Sequence, residues 1–138
     1  NGASHATKTV SDGGITTDFS VTTAAVGLGF TSSMKTLRLE SGSVDGTSQG
    51  KPKRIHAVTV RLFETVGVEV GTSSSSVERI PFRDSSMAMD TAVSLFTGDK
   101  DIEFTGGFDD QDRIYLQQTQ ALPLTVLALF PRLNTFDI

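Results

Sequence analysis

The chain holds two histidines, His5 and His56, and no cysteine. Nucleophilic catalysis needs a Ser, Thr or Cys activated by a neighbouring base, most often a histidine. His5 lies near one end of the sequence, and His56 follows a basic run within a strand-like stretch; no G-x-S-x-G elbow accompanies either. Gly27-Leu28-Gly29 lacks the third glycine and the following helix of a phosphate-cradling loop, and no Walker sequence occurs. The acidic residues are more suggestive. Asp99, Asp101, Asp109, Asp110 and Asp112 place five carboxylates within 14 residues, beside Gly98, Gly106 and Gly107. Calcium takes such oxygen-rich loops. The spacing departs from D-x-D-x-D-G with a distal glutamate, however, and Gly with Asp is also the ordinary chemistry of β-turns. Solvated turns are therefore the expectation, with bound calcium as the alternative. No carboxylate pair is singled out for glycoside hydrolysis. We expect no catalytic residue, no cofactor and no metal.

Lys51-Pro52-Lys53-Arg54 is the one basic run. Nucleic-acid surfaces are usually broadly basic and interleaved with aromatics, whereas this chain carries a net charge of −4, and its nine Phe and one Tyr fall mostly at core-like positions. A structural or subunit-contact role for the run is the expectation. The absence of Trp also weakens a sugar platform, which stacks on Trp or Tyr.

The elements that must position these residues read as strands. The 138 residues suit one domain. The 15 Ser and 18 Thr, spread among Val, Ile and Gly, favour pleated, half-buried surfaces punctuated by turns. Asp12-Gly13-Gly14 predicts a tight turn between strands at 5–10 and 15–21. Residues 25–30 read as an apolar strand loosened by two glycines, and 34–40 as a strand that buries Leu37 and Leu39. The longest strand signal runs over 55–70, with Val58, Val60 and Leu62 on one face and a bend or hairpin near Gly67. Gly71-Thr72-Ser73-Ser74-Ser75-Ser76 reads as an exposed, mobile loop. Strand signals resume over 77–82. Residues 84–92 form the best local candidate for a helical turn, too short to stand alone.

Gly98-Asp99-Lys100 reads as a hairpin loop between strands at 92–96 and 101–105, and residues 106–112 as another turn. Residues 113–120 form a strand with Ile114 and Leu116 on one face. Residues 122–133 are apolar on both faces, which predicts a central strand. Turn signals recur every eight to twelve residues, and no amphipathic helix of ten residues appears. The expected fold is all-β, an antiparallel β-sandwich or open barrel of about 8–10 strands, forming a single β domain over residues 1–138. Its core is expected from Leu37, Leu39, Val58, Val60, Leu62, Val68, Leu95, Ile114, Leu116, Val126 and Ala128. No apolar run approaches the roughly 20 residues of a membrane-spanning helix, so no membrane insertion is expected.

Three blocks, in order, carry a resemblance. Val26-Gly27-Leu28-Gly29-Phe30-Thr31-Ser32 is followed by Met34-Lys35-Thr36-Leu37. Gly50-Lys51-Pro52-Lys53-Arg54-Ile55 is followed by Val58-Thr59-Val60-Arg61-Leu62. Phe96-Thr97-Gly98-Asp99 and Ile114 precede Leu122-Pro123-Leu124-Thr125-Val126-Leu127-Ala128-Leu129. Together, over about residues 12–137, they resemble the C-terminal region of the tail nozzle, or tail tubular protein B-type, structural protein of short-tailed bacteriophages. Gly29-Phe30 stands where the family pattern has Pro-Tyr, and Ala121 where Pro or Asp is common.

The resemblance implies a non-enzymatic structural domain of a phage or prophage tail protein, within the ring or nozzle that conducts DNA during ejection. It implies self-association in a ring, a hexamer when full length, and contacts with other phage tail proteins. It implies no sequence-specific nucleic-acid binding. The expected location is the virion tail, assembled in the bacterial host cytoplasm. A first residue Asn1 suggests a piece of something longer, and the resemblance implies that it is the C-terminal fragment of a larger tail subunit. The alternative is a receptor- or glycan-binding module of a virion surface protein, with residues 71–76 and 106–112 as its binding loops. A small hydrolase with an acidic pair among the five aspartates is a further rival.

Overall fold

A computed structural model describes residues 3–40, 42, 46–109 and 113–136. These residues form seven strands and no helix: β1 (Ser32–Lys35), β2 (Lys53–Thr65), β3 (Glu69–Ser73), β4 (Ser76–Arg79), β5 (Phe96–Glu103), β6 (Tyr115–Gln118) and β7 (Val126–Thr135). The fold is all-β. A four-stranded sheet in the order β1-β6-β3-β4 faces a three-stranded sheet in the order β5-β2-β7, and every pairing is antiparallel. The two sheets stay open and do not close into a barrel.

Strand alternation builds the core. Val58, Val60 and Leu62 of β2 are fully buried, while Thr59, Arg61 and Phe63 point outward. Ile55 and Ile102 join them from the same sheet, Val70 and Leu116 meet them from the other, and Val68, Ile80 and Ile114, each one residue beyond a strand of that other sheet, complete the cluster. Burying each such side chain contributes about 1.5–3 kcal/mol. Between β2 and β3 the chain reverses at Gly67, whose φ of 84° suits glycine and where a Cβ would lie 2.7 Å from Leu122 Cδ1. Gln118, buried beneath this turn, donates from Nε2 to the Leu122 carbonyl at 2.7 Å and to that of Val66 at 3.4 Å.

Several expectations are corrected. The turn at Asp12 and Gly13 forms, with φ of 50° and 74° and paired backbone bonds between Ser11 and Gly14, but residues 5–10 and 15–21 form no strands around it. Residues 25–30 are likewise not a strand. Leu37 is exposed, because β1 ends at Lys35 and the pleat is not continued; Leu39 is half-buried against the core. Residues 84–92 hold turns and no helix.

Gly98-Asp99-Lys100 is not a hairpin loop but the middle of β5. Asp99 faces out to Arg61, and Lys100 places its ammonium 4.6 Å from the centre of the Phe96 ring, so polar residues serve both faces of one strand. Leu95, just ahead of β5, is exposed. β7 is an edge strand instead of a central one, and Pro131, which has no N–H to give a neighbour, suits that place. A register shift opposite Arg61 and Leu62 breaks its alternation: Val126 and Leu129 lean on the core, while Ala128 pairs with Arg61 on the outer face.

Candidate interaction surface

The residues singled out for chemistry are scattered. His56 is half-buried in β2, its Nδ1 without a hydrogen-bond partner, and its carbonyl accepts from the Phe104 N–H at 2.9 Å. His5 lies 3.3 Å from the Asp18 carboxylate, which Lys8 also contacts, and these three tie the ends of the turn at residues 11–14 together. Hydrogen bonding by Lys8 is the main cause that holds the Asp18 carboxyl below its ordinary range.

Arginines partner the first two acidic residues. Asp99 accepts from Arg61 Nε and Nη2, both at 2.8 Å, a fork geometry that holds its carboxyl below the usual range. Asp101 accepts from Thr59 and from Arg132 Nη2, the latter at 3.0 Å. Arg61 in turn lies over the Phe130 ring, 5.0 Å from its centre. Asp109 is joined to Lys53 by a pair of backbone bonds, whereas Asp110 and Asp112 lie outside the described residues. Among the described residues no three His, Asp or Glu come together to hold a metal ion.

The basic run divides in the same way. Lys53 is buried, and Arg54 is half-buried. The stretch expected to be a mobile loop is a hairpin in which β3 and β4 are joined through Ser74 and Ser75. It closes so tightly at a register shift that a Cβ on Gly71 would lie 1.8 Å from the Ser76 carbonyl oxygen. Residues 106–109 are exposed.

What the structure does assemble is apolar surface. Val26, Leu28 and Phe30 are 73%, 97% and 79% exposed. In sequence these three alternate with the small residues Ala25, Gly27 and Gly29. Residues 19–34 include no charged side chain, and Phe19, Val21 and Met34 in the same stretch are also exposed. The chain exposes 9566 Å² in all, about 2,500 Å² more than a compact chain of this mass. A typical subunit interface takes about 800 Å² from each partner.

A second apolar feature lies past the end of β4. A groove of about 480 Å³ is lined by Val66, Ile80, Pro81, Phe82, Met89, Val93 and Leu122, with Ala3 and Ser4 also at its surface. Met89 is 86% exposed. Arg83, which also lines the groove, donates from Nη1 to the Ala88 carbonyl at 2.6 Å and from Nη2 to that of Thr91 at 2.7 Å.

Sequence reasoning placed residues 25–30 in a strand and left Met89 in a helical turn. The alternation signal was present, but alternation does not say which chain supplies the cover. Among the described residues no helix is long and apolar enough to cross a membrane. No protein-family model matches the chain, and no curated protein matches it.

Proposed function

We propose that this chain is a structural assembly domain, without catalytic chemistry of its own, of a short-tailed phage or prophage tail protein. It contributes to the ring or nozzle that conducts DNA, associates with copies of itself and meets other tail proteins. The observation that carries the assembly reading is the exposure of Val26, Leu28 and Phe30 within a stretch, residues 19–34, that holds no charged side chain, since large exposed apolar residues grouped in this way mark an interaction site.

The sequence resemblance names the particle. Two of its three blocks supply adjacent strands: residues 50–62 lead into β2, 96–99 open β5, and 122–129 lead into β7, the three strands of one sheet. The other block, from Val26 to Leu37 in sequence, covers these exposed residues and β1. A net charge of −4 accords with a conduit that lets DNA pass, because attraction to phosphates depends on Lys and Arg.

Immunogold labelling of particles from the cells that make this protein tests the proposal. Label confined to the tail, at the end away from the capsid, is expected. Label on the capsid alone, or no labelled particle, sinks it.

A further inference from the structure

We infer that Lys100 closes the free edge of β5 to strand addition, so that a second copy of this chain cannot extend the sheet there. The inference stands apart from the assembly reading, which draws on residues 19–34.

β5 carries an open row of backbone groups. It has β2 on one side and, among the described residues, no strand on the other. The Phe104 N–H bonds to the His56 carbonyl at 2.9 Å, one step beyond the pair Glu103 and Ala57. In an antiparallel pair every second residue bonds to the same neighbour, so Asp99, Asp101 and Glu103 turn their N–H and C=O groups outward. Rungs of this kind are a template for another strand.

Lys100 spoils the template from the inner side. It stands opposite Val60, which is fully buried, so its side chain projects to the interior face, in the row that Ile102 continues. There the ammonium lies 4.6 Å from the centre of the Phe96 ring and 5.9 Å from that of Phe82, and the two rings meet edge to face at 6.1 Å. Both rings pack against the core. Ring faces attract a cation, which holds the half-buried Lys100 in place at the edge. Asp99 and Asp101 on the same strand are matched by Arg61 and Arg132. Asp84, held low chiefly by hydrogen bonds from Ser86, feels the Lys100 charge as the least of its influences.

A strand laid along β5 would carry its own inner side chains over the ammonium and strip it of water, and a buried charge without a partner is unfavourable. A second copy of β5 meets a further obstacle. The antiparallel register that joins the outward rungs of Asp99 and Asp101 to those of the copy sets the two Lys100 side chains directly opposite each other, and like charges so placed repel. An inward-pointing charge is one of the devices by which sheet edges are kept from pairing.

Amide hydrogen exchange tests this, because it reads the rim of β5 whatever other surfaces associate. Methionine keeps the length of lysine, lacks its charge and makes favourable sulfur–ring contacts, so K100M is expected to keep the fold. At about 100 μM, where a micromolar contact would be nearly saturated, exchange at Asp99, Asp101 and Glu103 in K100M is expected to slow by about tenfold or more relative to a dilute sample. Wild type and K100R are expected to show no such dependence on concentration. K100L is the second variant and is expected to follow K100M. Rim amides that exchange as fast in both apolar variants as in wild type overturn the inference. So does protection of these amides in concentrated wild type, which would mean that the edge pairs despite Lys100. Loss of the fold in both apolar variants also overturns it, since Lys100 would then be holding the core and not guarding the edge.

Discussion

Strand β2 and the segment 19–31 are composed of similar residues and reach opposite ends. Both alternate apolar side chains, both are rich in Val and Thr, and both contain Phe. Val58, Val60 and Leu62 are sealed between two sheets, while Val26, Leu28 and Phe30 are among the most exposed side chains of the molecule. The difference is one of neighbours. β2 has β5 on one side and β7 on the other, each aligned over most of its length. Residues 19–31 precede a four-residue strand at a sheet edge and extend past it. Alternation therefore declares that a face is to be covered; it is silent on whether the cover is the same chain.

The sharpest way to break that comparison is to cut into β2. Leu62→Ala removes a fully buried side chain and is expected to cost about 3 kcal/mol, read from urea unfolding; a cost below about 1 kcal/mol would mean that the two regions do not differ as described.

Acid gives a smaller effect. Glu69 is held below the ordinary carboxylate range chiefly by the hydrogen bond from Gln117, with Arg79 adding to it. A carboxyl whose folded pKa is depressed contributes stability that is present above its unfolded pKa and lost as pH falls through the folded one. The melting temperature is expected to hold from neutral pH down to about 5 and to fall below about 4. In Glu69→Gln that fall should be shallower, and an identical acid profile would remove Glu69 from the account.

The smallest effect should come from the exposed segment. Leu28→Ala is expected to change the unfolding free energy of the monomer by less than about 0.5 kcal/mol, measured at a concentration where the chain does not associate. A larger loss would show that Leu28 is buried in its own molecule after all.

Much of the sandwich could be read from the residues. Val58, Val60 and Leu62, then Ile114 and Leu116, were legible because strict alternation coincides with β-branched and aliphatic types. The turn at Asp12 and Gly13 was legible because positive φ selects those residues. Three features were not legible, each for a physical reason. The register shift in β7 moved Ala128 to the outer face, and a bulge leaves no mark in composition. Gly98 sits inside β5 with a φ of 145°, so a turn residue was absorbed into a strand. Leu37 and Leu95 alternate suitably but lie just beyond their strands, where nothing opposes them. Of the interaction surface, Val26, Leu28 and Phe30 were visible as apolar residues but not as exposed ones. The groove was not visible at all, because residues distant in sequence form it.

The central position of β2 also governs when this sheet can form. Its two partners come later in the chain, β7 roughly 70 residues away, a separation that makes pairing slow relative to local contacts. On the ribosome, residues 53–65 must wait with one rim unclaimed until 126–135 emerge. During that interval an uncovered Val- and Leu-rich ribbon is open to chance pairing with other nascent copies. Fast release and dilution should therefore favour soluble product, and slow synthesis of the last stretch should favour aggregates.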